Sequence, residues 1–117
     1  MNTTERKLSE MHSRLGCVLV GSGTMGLMLS LQALGIRSSL IAVPNNSCFN
    51  VIQAIYYSQN MPLFLDIDKD DFGLSPLALR KAKGYAAVIA IHAYGRICQI
   101  EAISAICKDV GVPLIED

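Results

Sequence analysis

The sequence predicts an α/β fold, a mostly parallel sheet with helices on both faces. Three observations lead there: short, continuously apolar runs read as buried strands, helical segments of about ten residues separate them, and polar or glycine-containing turns follow each run. Right-handed crossovers are expected between parallel strands.

In chain order, Leu8, Met11 and Leu15 share one face of an N-terminal helix ended by Gly16, and residues 17–20 read as a first buried strand. Ser22-Gly23-Thr24 leads into a charge-free helix over 25–34, closed by Gly35 where a left-handed cap costs little. A helix without charge should be covered on nearly all sides. Residues 40–43 are the second strand, and 50–59 a helix turning Val51, Ile52 and Ile55 inward. The third strand is 63–67. Ser75 is an N-cap with Pro76 in the first helical position, opening a helix to about Lys83. Residues 85–93 form the fourth and most apolar strand. A helix over about 98–109 buries Ile100, Ile103, Ile106 and Cys107, and Gly111 and Pro113 then lead into Leu114 and Ile115.

With 117 residues the chain has the size of one domain. Ten basic side chains balance ten acidic ones, so no electrostatic footprint for nucleic acid or an anionic membrane exists. At 51% hydrophobic and 17% charged, the chain is lean in charge for a surface solvated on all sides, and part of that surface is expected to meet another subunit or a further segment. Cys17, Cys48, Cys98 and Cys107 have neither disulfide-framework nor zinc spacing. No signal peptide or membrane span is visible, which makes the cytoplasm the expected address.

Ligands of such sheets sit beyond the carboxyl ends of the strands. The residues there are Ser22 to Met25, Asn45 to Cys48, Asp66, Asp68, His92, Tyr94, Glu116 and Asp117. Asp66 and Asp68 read as loop caps or solvent-facing charges, His92 and Tyr94 as packing at a strand end or subunit interface, and His12 is assigned no role. Gly21-Ser22-Gly23-Thr24-Met25-Gly26 spells G-x-G-x-x-G between strand and helix, the pattern of a dinucleotide site. Its companion acid is missing, because no Asp or Glu occurs between Met11 and Leu65. An NAD(P)-binding Rossmann domain is therefore the lesser alternative. Free amides and a hydroxyl at a helix start also suit a single phosphate, while the blandest reading is a tight turn only.

Several blocks resemble one family in order. The Gly21–Leu27 run followed by Leu31-Gln32-Ala33-Leu34-Gly35-Ile36, Val43-Pro44, Met61-Pro62-Leu63-Phe64-Leu65-Asp66-Ile67-Asp68, Ile91-His92-Ala93-Tyr94-Gly95 and Val112-Pro113-Leu114-Ile115-Glu116-Asp117 are similar to motifs of the DegT/StrS-type sugar aminotransferases. The resemblance implies part of the large domain of the aspartate-aminotransferase-like fold, with residues 1–117 as an incomplete, N-terminal part. It also implies a homodimer using pyridoxal 5'-phosphate to move an amino group from glutamate or glutamine onto a nucleotide-linked keto sugar. By that resemblance Gly23, Thr24 and Met25 form the phosphate turn, and Asp117 pairs with the pyridine nitrogen. Cys48 stands where the family usually stacks an aromatic ring. Residues 37–42 are one residue shorter than the family's usual lead into its strand. The family's Schiff-base lysine falls beyond Asp117, and Lys69, Lys81, Lys83 and Lys108 do not match it, so no catalytic residue is expected here and the chain alone is expected to be inactive. A non-catalytic remnant, or a half-domain that binds a partner, is the alternative from a different class.

Overall fold

The computed structural model describes residues 2–117. An Asn2–Glu5 capping box opens helix α1 (Thr3–Met11), the Asn2 carboxamide accepting from the Glu5 amide and the Glu5 carboxylate accepting from the Asn2 amide. Helix α2 (Gly23–Ala33) starts at Ser22, whose hydroxyl accepts from the Met25 amide. It ends in a Schellman arrangement, with Gly35 at φ 70° and the Ile36 amide donating to the Leu31 carbonyl.

Strand β1 (Leu40–Pro44) follows, then helix α3 (Phe49–Tyr57), strand β2 (Met61–Leu65), the short helix α4 (Pro76–Lys81), strand β3 (Tyr85–Ala90), a 3-10 turn (Ala93–Gly95), helix α5 (Ile100–Val110) and strand β4 (Leu114–Glu116). The four strands are parallel, in the order β2-β1-β3-β4. Pro62 is tolerated within β2 because that strand lies at an edge of the sheet. Strand β3, expected over residues 85–93, is shorter than the sequence suggests and ends at Ala90. Ser75 caps α4 with Pro76 in its first turn, as the sequence indicates, but the helix stops at Lys81 because Ala82 is extended.

Alternation along the strands sorts side chains to two sides. Ile41, Val43, Ala87 and Ile89 pack with Leu27 and Leu31 of α2 and Val51, Ala54 and Ile55 of α3. Ala42, Val88 and Ala90 pack on the other side with Leu79 of α4 and Ile103, Ile106 and Cys107 of α5. The expectation of helices on both faces is met.

Two further sequence expectations are corrected. Residues 17–20 are not a buried strand: they belong to no helix or strand and pair with none among the described residues, and Val18 is 78% exposed. The Leu19 amide donates to the Glu5 carboxylate and, with the Asn2 amide, holds the Glu5 carboxyl below its usual range. An apolar run becomes a strand only where a ladder offers it partners, and none of β1 through β4 pairs with it. Helix α2, expected to be covered nearly all round, is covered on its Leu27 and Leu31 side, while Met25, Leu29 and Leu34 stay exposed.

A buried side chain ties the amino-terminal edge of the sheet together. Asn60, 3% exposed, accepts from the Ser39 amide at 3.1 Å and donates to the Ile36 carbonyl at 2.9 Å and the Ser58 carbonyl at 3.0 Å. It thereby joins the end of α2, the start of β1 and the turn before β2. Asn60→Ala leaves those groups without partners and should lower unfolding stability by about 1–3 kcal/mol. Urea denaturation measures it: the midpoint falls while the slope stays constant, and an unchanged midpoint would contradict the role.

Candidate functional site

Helix direction defines the site. Each helix between two parallel strands runs antiparallel to them, so its first turn lies at the carboxyl edge of the sheet. For α2, eleven residues span roughly 16 Å at 1.5 Å per residue, about the length of five-residue β1. Its last turn is bound to the amino-terminal edge through Ile36 and Asn60, which brings Gly23 level with the end of β1.

At that first turn the Ser22 hydroxyl occupies the Met25 amide at 3.2 Å, and Gly26 donates to the Ser22 carbonyl. The amides of Gly23 and Thr24 have no hydrogen-bond partner among the described residues, and Thr24, which brings a hydroxyl beside them, is a half-buried residue. Together with the positive end of the helix dipole they form a cradle for one anionic group. The G-x-G-x-x-G reading loses its context, because no paired strand precedes this turn.

Cys48 is the exposed N-cap residue of α3, makes no side-chain cap hydrogen bond, and follows directly on the turn after β1. Phe49, its neighbour, is 73% exposed. On β4, Leu114 packs on the α4/α5 side and Ile115 on the α2/α3 side. The ladder runs on past the strand, since the Asp117 amide donates to the Ala90 carbonyl at 2.8 Å and the His92 amide donates to the Asp117 carbonyl at 2.9 Å. Alternation therefore sends Glu116 to the α4/α5 side and Asp117 to the α2/α3 side. Gly23, Thr24 and Met25, Cys48 and Asp117 thus share one edge and one side of the sheet.

The remaining edge residues belong to the other side or to the rim. Asp66 accepts from the Asn45 carboxamide, and Asp68 caps its own loop by accepting from the Asp70 amide, which holds its carboxyl below the usual range. Burial, then Asp71 and Glu116, push the Cys98 thiol up, and burial alone does so for Cys107, so both are poor nucleophiles. All four cysteines are free, and no cluster of metal-binding side chains occurs among the described residues.

Two features were hidden from a linear reading. His92 is hydrogen-bonded to Glu116, although the two lie 24 positions apart. Phe72 and Tyr94, at φ 61° and 56°, hold left-handed backbone that costs a side-chain-bearing residue about 1–2 kcal/mol. Their rings meet edge to face at 5.9 Å, and the Arg96 guanidinium lies 5.6 Å from the Phe72 ring centre, contacts of comparable size that offset the strain. His92, Tyr94 and Glu116 each lie in a block the sequence reading quotes, but nothing in the sequence pairs His92 with Glu116 or Tyr94 with Phe72.

Comparison with known proteins bears on the family and the fold. L-glutamine:2-deoxy-scyllo-inosose aminotransferase of Streptomyces paromomycinus is 32% identical over 86% of this chain and 24% of its own length. GDP-perosamine synthase of Vibrio cholerae is 31% identical over 84% of this chain and 28% of its own. Among solved structures, 3-amino-5-hydroxybenzoic acid synthase superposes with a TM-score of 0.91 at 26% identity, covering 99% of this chain and 31% of that one. NtdA of Bacillus subtilis, solved with bound cofactor PMP, superposes with a TM-score of 0.91 at 25% identity, covering 96% of this chain and 26% of that one. The chain thus spans 24% to 31% of the length of these proteins. No helix among the described residues is long and apolar enough to cross a membrane. Its sheet matches part of the large domain of the pyridoxal-phosphate aminotransferase fold, and the profile of the DegT/DnrJ/EryC1/StrS aminotransferase family matches residues 1–117, so the chain belongs to that family.

Proposed function

We propose that this chain is the cofactor-holding front part of a pyridoxal-phosphate aminotransferase that places an amino group on a nucleotide-linked keto sugar, with glutamate or glutamine as donor. The observation that carries the reading is the convergence of Asp117 with the first turns of α2 and α3 on one side of the sheet. Relatives such as GDP-perosamine synthase support a sugar nucleotide as the substrate class.

The unpartnered amides of Gly23 and Thr24, the Thr24 hydroxyl and the dipole of α2 fit a phosphate group. Met25, whose amide is already taken by Ser22, closes that turn. Asp117 offers a carboxylate on the same side, suited to keep a proton on a pyridine nitrogen. Pyridoxal phosphate, when bound, supplies the electron sink for amino transfer. Cys48 borders the ring position with a side chain much smaller than an aromatic one, so ring contact there is weaker than in relatives with a ring at this place.

No lysine of this chain is assigned to covalent attachment. Lys81 and Lys108 lie in the last turns of α4 and α5, at the opposite edge of the sheet, and Lys69 is exposed and paired with Asp70 at 3.2 Å. Pyridoxal phosphate added to the chain should therefore be removable by dialysis after borohydride treatment. A stoichiometric adduct on one specific lysine would overturn that assignment.

Two substitutions separate the phosphate turn from the pyridine-pairing acid. Thr24→Val should weaken binding of pyridoxamine phosphate, followed by its fluorescence, by about 1–3 kcal/mol, whereas equal affinity would return the turn to a purely structural role. Asp117→Asn is best read in a chimera in which residues 1–117 replace the matching segment of GDP-perosamine synthase. Turnover should fall about 10- to 100-fold, the equivalent of ~1.5–3 kcal/mol for a lost charged hydrogen bond. The melting temperature of the apo-protein should hardly move, and near-normal turnover would sink the role given to Asp117.

A further inference from the structure

His92 holds three parts of the carboxyl edge at once. Its ring Nδ1 lies 3.1 Å from the backbone nitrogen of Cys98, just ahead of α5, and its Nε2 lies 2.9 Å from Oε1 of Glu116, at the end of β4. A backbone N–H can only donate, so Nδ1 must accept and carries no proton. The ring proton then sits on Nε2 and is donated to Glu116, which makes this the neutral Nε2–H tautomer. The main chain of His92 also contributes, its amide donating to the Asp117 carbonyl at 2.9 Å, while the Asp117 amide donates to Ala90 at 2.8 Å.

We propose that His92 is a positioning residue for Asp117: through the Cys98 amide and the Glu116 carboxylate its ring clamps the tip of β4 onto β3 and the start of α5. The ring lies on the α4/α5 side, opposite Asp117, and so reaches the candidate site only through the backbone of residues 116 and 117. Among the described residues β4 pairs with β3 alone, so the hydrogen bonds that hold it in place come from one side of the strand only. The clamp supplies a side-chain anchor one residue before the carboxylate whose placement matters. Its functional meaning rests on the pyridine-pairing role proposed for Asp117, whereas the clamp itself belongs to the unliganded chain.

Nitrogen NMR of the unliganded chain at neutral pH should show His92 protonated at Nε2 and bare at Nδ1. A proton on Nδ1 instead would overturn the proposal. Amide hydrogen exchange at Asp117 and Cys98 then tests the clamp arm by arm. His92→Phe keeps a ring but neither bond, and exchange at both amides should accelerate about tenfold, the protection that one hydrogen bond confers. His92→Asn, with an amide oxygen near the Nδ1 position, should restore Cys98 but not Asp117, and His92→Gln, with a donor near Nε2, should do the reverse. Unchanged exchange at Asp117 in the Phe variant would refute the clamp. Affinity for pyridoxamine phosphate should fall in parallel with Asp117 protection. A loosened Asp117 with unchanged affinity would keep the clamp and remove Asp117 from the cofactor site, which separates failure of the functional reading from failure of this inference.

Discussion

Strict alternation of side chains along the β3–β4 ladder is the constraint on which the rest of the site depends. Because the pairing continues through Asp117, consecutive residues 115, 116 and 117 are committed to opposite sides of the sheet. Ile115 enters the core with α2 and α3, Glu116 meets His92 on the far side, and Asp117 returns to the helix starts. A slip of one residue would exchange these sides, and a carboxylate would still lie there, but from Glu116 with its longer chain. Register is guarded by the apolar neighbours, since the same slip would drive Ile115 out of its core.

The second ingredient is the polarity of the helices. Parallel β1 and β2 oblige α3 to run back across the sheet, and α2, fastened at its end to the amino-terminal edge and packed on the same side, brings its own start to the edge where β4 delivers Asp117. The opposite edge is closed by polar hooks centred on Asn60, which fastens the end of α2 to the strands that follow. One edge is therefore tied together by the hydrogen bonds of Asn60, while the other holds the Gly23 and Thr24 amides, which have no partner among the described residues. That asymmetry is what an anion-binding edge requires.

Exposed apolar surface follows from the same architecture. The segment 17–20 and the outer side of α2, with Met25, Leu29 and Leu34, lie where no element of this chain covers them. The lean charge content of the sequence has its structural counterpart there. Strands β2 and β4 bound the sheet, and the relatives this chain resembles are three to four times as long.

By itself the sequence determined the order of elements, the parallel class of the sheet, the cap chemistry at Ser22, Gly35, Ser75 and Pro76, and the family motifs that nominate Gly23, Thr24, Met25, Cys48 and Asp117. These are local properties: periodicity, turn residues and short blocks are written in neighbouring positions. Only the tertiary structure decided that residues 17–20 stay outside the sheet, that α2 is covered on one side, and that His92 grips Glu116 across the β3–β4 crossover. Each of these depends on whether a partner distant in the chain is present at the right height and on the right side of the sheet. An apolar run records a tendency to be buried and to pair, but the free energy of doing so belongs to the pair, and one half of a pair carries no mark of where the other half will be.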